Sequence, residues 1–139
     1  MVVLKRILVG VDGSENALRA VQMAAEIAKN EGAKVTLLNV IAPSESALFT
    51  GRMTRPLEDR TLGDERLHRA VEVVREKGVE FDTAVEFGNP AEVLLRYGSK
   101  DYDLIAIGRR GLSGVAEFLL GSVSSNVVHH SKIPTLVVP

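Results

Sequence analysis

Two near-continuous apolar runs, separated by one amphipathic stretch, constrain this chain most. Arg6 to Val11 reads RILVGV, and Lys34 to Ile41 reads KVTLLNVI. Strands buried on both faces read this way, and such strands belong to parallel sheets. Between the runs, Ala17, Val21, Ala24, Ala25 and Ala28 recur at helical spacing and form one apolar face. Ser14 is placed to cap this helix, Glu15 and Arg19 are set as an i,i+4 pair, and Gly32 ends it. Alanine at most of the buried positions permits close packing of helix on sheet. Strand, helix, strand implies a right-handed crossover.

The pattern continues. A second helix is predicted over Asp64 to Lys77, with Leu67, Ala70, Val71 and Val74 on one face and Gly78 after it. Val79 to Phe87 alternates, with Val79, Phe81, Thr83, Val85 and Phe87 on one side, so it is placed as a half-exposed edge strand. Asn89-Pro90-Ala91-Glu92 has the cap, proline and glutamate of a helix start, and that helix ends near Gly98. Leu104 to Ile107 is the fourth strand and Ile133 to Val138 the fifth. The 139 residues form one α/β domain, with a doubly wound, open, five-stranded parallel sheet of order 3-2-1-4-5. Its switch point lies between strands one and four, where Asp12 faces Gly108 across a crevice.

Gly108 to Ser131 carries the chemistry. Gly108 and Gly111 follow the fourth strand, and Gly121-Ser122 opens the last helix. Glycine lets a ligand approach the main chain closely. Ser122 is expected to cap the helix, whose first N–H groups and dipole attract anions. Ser124 and Ser125 add hydroxyls within the first turn. Arg109 and Arg110 lie inside the glycine loop, and either can pair with phosphate oxygens or point to solvent. Asp12 is positioned to accept ribose hydroxyls, or to bond its own backbone in a turn.

The spacing Gly108-x2-Gly111-x9-Gly121-Ser122, with Asp12-Gly13-Ser14 near the start and Ile133-Pro134-Thr135-Leu136-Val137-Val138 at the end, resembles the ATP-binding branch of the universal stress protein family. The resemblance runs over nearly the whole chain. It implies the same strand order, a Rossmann-like three-layer sandwich, and a nucleotide contact at Asp12. It also implies main-chain groups of Val40 near the base, and a homodimer through the last strand. The set implied for ATP, ADP or AMP is Val11, Asp12, Gly13, Ser14, Val40, Gly108, Arg109, Arg110, Gly111, Gly121, Ser122, Val123 and Ser124. Val11 stands where the family often has a further contact, and offers only backbone and methyl surface.

Other classes find little support. A net charge of −1 leaves no footprint for nucleic acid. With four Phe, two Tyr and no Trp, no stacking platform for single strands is evident. No apolar run approaches the roughly 20 residues that span a bilayer. The N-terminus shows no cleavable signal, and cytoplasmic location is the simplest expectation. Cysteine is absent, which excludes disulfides and zinc-thiolate sites. His129 and His130 point about 100° apart on a helix, so sharing one ion is disfavoured, and the last turn is where histidine suits the dipole. His68 is expected on the surface. Asp101 and Asp103 lie at the sheet edge away from the ligand.

No P-loop lysine, GxGxxG or GxSxG pattern is present. No carboxylate besides Asp12 stands out as a base, so binding is favoured over turnover. Slow ATP hydrolysis stays compatible, with Mg²⁺ bridging phosphates rather than caged by protein. Residues 42 to 63 hold Arg52, Arg55 and Arg60, and read as a solvated connection or as a lid reaching a polyphosphate. The competing functions are an adenylating or ATP-pyrophosphatase enzyme, whose double glycine is missing at Val9 to Ser14, and a dimeric interaction protein without nucleotide.

Overall fold

A computed structural model describes residues 3–45, 60–110 and 120–139. The strands are β1 (Arg6–Gly10), β2 (Lys34–Ile41), β3 (Phe81–Phe87), β4 (Leu104–Gly108) and β5 (Thr135–Val138). The helices are α1 (Glu15–Glu31), α2 (Thr61–Glu76), α3 (Pro90–Gly98) and α4 (Ser122–His130). The sheet is parallel throughout, in the order β3-β2-β1-β4-β5. Arg52, Arg55 and Gly111, and the lid read over residues 42 to 63 apart from its two ends, lie outside the described residues.

Alternation along each strand divides the core into two layers. Ile7, Val9, Val35, Leu37 and Ala106 face α1 and α2, meeting Ala20, Val21, Ala24, Leu67, Ala70 and Val74. Leu8, Leu38, Val40, Ile105 and Ile107 face α3 and α4, meeting Ala91, Val93, Leu94 and Val127. The central strands are thus covered on both sides, which is why they read as unbroken apolar runs.

Helix ends follow local chemistry. Ser14 Oγ accepts the Ala17 N–H at 3.1 Å, and Gly32 closes α1 in the left-handed region at φ +69°. Asn89 caps α3 by accepting the Glu92 N–H at 3.1 Å. Several expectations are corrected. α2 starts at Thr61, one turn before Asp64. Glu15 pairs with Arg69 of α2 at 2.7 Å and not with Arg19, whose guanidinium reaches the Pro139 carbonyl. β3 is an edge strand, but Thr83 is exposed and Ala84 packs toward α3, so its faces are not cleanly apolar and polar. An edge strand meets helices on only part of each face.

Asp103 lies at the N-terminal edge of the sheet, away from the crevice. Its Oδ2 accepts the main-chain N–H groups of Lys5 and Arg6 at 2.8 and 3.0 Å, and these bonds hold its carboxyl below the usual range. Among the described residues, no helix is long and apolar enough to cross a membrane.

Candidate functional site

Parallel strands release their chains at one edge, and here β1 and β4 lead to helices on opposite faces. The crevice left between them holds a cavity. β1 and the turn after it contribute Gly10, Val11 and Asp12, β2 contributes Leu38, Asn39 and Val40, and the α4 side contributes Gly108, Arg110, Gly121, Ser122, Val123 and Ser124. Glu45, Arg66 and Pro90 close the rim.

Of the two readings of Asp12, the structure shows the turn bond and leaves the second oxygen open. Oδ1 accepts the Ser14 N–H at 2.9 Å and shapes the turn, while Oδ2 has no hydrogen bond among the described residues. Gly13 has φ +89°, and a Cβ there would stand 3.1 Å from Arg66 Cγ. The turn therefore needs glycine for conformation and for space. Gly13 and Ser14 line a neighbouring recess with Leu18, Glu65 and Arg69, not the crevice between β1 and β4.

The α4 end differs from the expectation. Its N-cap is Gly121, and no side chain caps the helix; Ser122 is the first helical residue. Ser124, 3% exposed, gives its hydroxyl to the carbonyls of Arg109 and Gly121, at 2.7 and 3.1 Å. That hydroxyl is structural. α1 and α3 are closed by side chains, whereas the N–H groups of Ser122 to Ser124 in α4 have no hydrogen-bond partner among the described residues. α2 also lacks a side-chain cap, but residues 60–64 do not line the cavity.

The glycines divide by role. A Cβ on Gly108 would lie 2.8 Å from Asn16 C and 2.9 Å from Ala17 N, so this glycine lets α1 approach β4 rather than a ligand approach the loop. A Cβ on Gly121 would meet Arg109 O and Arg110 Cα at an ordinary 3.4 Å, with φ at −65°. Of the two loop arginines, Arg110 lines the cavity. Arg109 is a structural link: its N–H donates to Val138 C=O at 2.7 Å, and its C=O accepts the Gly121 N–H at 2.9 Å.

Three residues of the site, Glu45, Arg66 and Asn39, escaped the sequence reading. Glu45 Oε1 accepts the Ala42 N–H and Oε2 the Arg66 guanidinium, at 3.0 and 2.5 Å. Burial pushes the Glu45 carboxyl up, but the Arg66 bond, the Ala42 N–H and the Arg66 charge outweigh it and leave it below the ordinary value. Asn39 is an amide within an apolar strand, the one hint that the sequence did contain. The histidines stand apart: His129 and His130 Nδ1 sit against the carbonyls of Ser125 and Asn126, and exposed His68 faces Glu72. Among the described residues, no cluster of three His, Asp or Glu side chains is arranged to hold a metal.

A model of the universal stress protein family matches residues 4–139. The chain belongs to the universal stress protein family. A putative universal stress protein of Staphylococcus saprophyticus is 35% identical over 144 residues, covering 99% of this chain and 85% of the relative. Among solved structures, a universal stress protein from Archaeoglobus fulgidus superposes with a TM-score of 0.76 at 25% identity, over 99% of this chain and 95% of the other. A universal stress protein solved in complex with cAMP gives a TM-score of 0.73 at 28% identity, over 99% and 98%. All three likenesses span the site as well as the core.

Proposed function

We propose that this universal stress protein binds an adenine nucleotide, ATP, ADP or AMP, in the crevice between β1 and β4. The observation that carries the reading is the uncapped N-terminus of α4 opposite Asp12 in one cavity. Phosphate oxygens meet the first-turn N–H groups at Ser122 to Ser124 and the Arg110 guanidinium. Asp12 Oδ2 accepts from the ribose, and the main chain of Val40 borders the base. The relative solved with cAMP supports an adenine nucleotide in particular. A Mg²⁺ ion fits as a bridge between phosphates, since among the described residues Glu45 is committed to Arg66 and Ala42 and Asp12 Oδ2 is the carboxylate oxygen left open in the cavity. The protein then works as a nucleotide-responsive regulatory module, homodimeric through the open edge of β5.

The test is direct. The protein is purified without added nucleotide, denatured, and the released ligand chromatographed, alongside Gly121→Ala. Stoichiometric adenine nucleotide from the wild type and a clear deficit in the variant is the expected result. An empty wild type with no thermal shift in millimolar Mg-ATP overturns the reading.

A further inference from the structure

Asn39 sits in β2 among apolar neighbours and is 1% exposed. Its Nδ2 donates to the Val11 carbonyl at 2.7 Å. Its Oδ1 is buried and accepts nothing among the described residues. A Cβ on Gly63 would lie 3.2 Å from that oxygen, so the unpaired acceptor faces the first turn of α2. An unpaired buried acceptor is destabilising, and strand positions beside it are filled by valine and leucine. Fold stability alone does not account for an amide here.

The register supplies an account. On β2, even-numbered residues direct their main-chain groups to β1: Lys34 N–H donates to Lys5 C=O, and Leu38 C=O accepts the Val11 N–H at 2.8 Å. Odd-numbered residues face β3, as in the bonds from Val35 N–H to Glu80 C=O and from Gly88 N–H to Ile41 C=O. A parallel ladder continued by one more step brings the Val40 N–H to the Val11 C=O. That bond is not made, and the Asn39 amide occupies the carbonyl in its place. The Val40 N–H and C=O are therefore left facing the crevice, where Val40 lines the cavity. The same amide fixes the carbonyl immediately before Asp12.

We propose that Asn39 is a positioning residue that ends the β1–β2 ladder one bond early, keeping the Val40 main chain open for the edge of a base and holding the Asp12 turn beside it. The inference rests on the nucleotide reading, and it explains why an orphaned acceptor is kept in the core. A valine at this position removes the amide and lets the Val40 N–H close on the Val11 carbonyl. The fold is then no less stable, but the base edge is lost.

The experiment uses the full chain, wild type and Asn39→Val, with Asn39→Ala as a second variant should valine crowd Gly63. Amide hydrogen exchange without ligand reads the ladder. The Val40 N–H is expected to exchange at least tenfold faster than its ladder-bonded neighbours in the wild type, and to become protected in the variant. Titration with AMP and ATP reads the site. Both affinities are expected to fall about tenfold and by the same factor, because the change is at the nucleoside end. The melting temperature is expected to hold or rise. A protected Val40 in the wild type, unchanged affinity in the variants, a loss that grows with the number of phosphates, or noncooperative unfolding of both variants overturns the proposal. A wild type with an open Val40 N–H that binds neither AMP nor ATP instead removes the nucleotide reading, and with it any base for Asn39 to position.

Discussion

At the scale of single residues, Gly108 and Gly121 belong to the same sequence pattern but answer to different neighbours. Gly108→Ala drives a methyl into the backbone of α1 at Asn16 and Ala17. Overpacking against main chain of this kind costs about 1–3 kcal/mol, and urea unfolding of the unliganded protein is expected to show it. Gly121→Ala meets ordinary contacts among the described residues, so its melting temperature is expected to stay near that of the wild type. Its nucleotide affinity, read by calorimetry, is expected to fall about tenfold, the methyl taking room at the helix end that a phosphate needs. Asp103 acts through charge. Its carboxyl is depressed in the fold by the N–H groups of Lys5 and Arg6, so it binds a proton less readily folded than unfolded. The resulting stabilisation is fully present above the unfolded carboxylate pKa of about 3.9 and is lost as pH falls through the lower folded value. Asp103→Asn is therefore expected to melt below the wild type at pH 7, with the gap closing as both are acidified to pH values under about 3.9.

At the scale of elements, termini decide more than lengths do. Asn89 holds α3 by a single side-chain bond to the Glu92 N–H, and Asn89→Ala is expected to lower unfolding free energy by about 1 kcal/mol, measurable by urea denaturation. The strand and helix succession was legible because each signal was local. Ser14, Gly32, Asn89 and Pro90 sit where they do for reasons confined to one turn, and β1, β2 and β4 are apolar because both faces are covered. What escaped the sequence is what depends on two elements meeting. Glu45 meets Arg66, and Glu15 meets Arg69, only once α2 lies on the sheet. The cap of α4 moved from Ser122 to Gly121 because Gly121 N–H is already held by Arg109 C=O, and that bond sets where the helix begins. The candidate site was legible as a juxtaposition: Asp12, Gly121 and Val40 line one cavity. Spacing alone does not separate Arg110, which lines it, from Arg109, whose backbone ties the loop to Val138 and α4.

At the scale of the whole molecule, β5 has a neighbour on one side only among the described residues, and that edge bears on how the proposed module assembles. The register shows which groups are left over. Pro134 C=O accepts the Ile105 N–H at 3.0 Å, and Val138 C=O accepts the Arg109 N–H at 2.7 Å. Even-numbered positions of this strand therefore serve β4, and Thr135 and Val137 direct their main-chain groups outward. The proposed antiparallel pairing with a second copy would use those outward groups and bury the half-exposed faces of Leu136 and Val137. Val137→Pro deletes one outward N–H and no bond to β4, so it separates assembly from folding, and edge strands are where a sheet tolerates proline. The variant is expected to keep the circular dichroism and cooperative melting of the wild type while shifting from dimer to monomer in light scattering at micromolar concentration. A wild type that is itself monomeric, or a variant that remains dimeric, removes β5 as the interface. If nucleotide affinity survives in the monomeric variant, the crevice is complete within one chain.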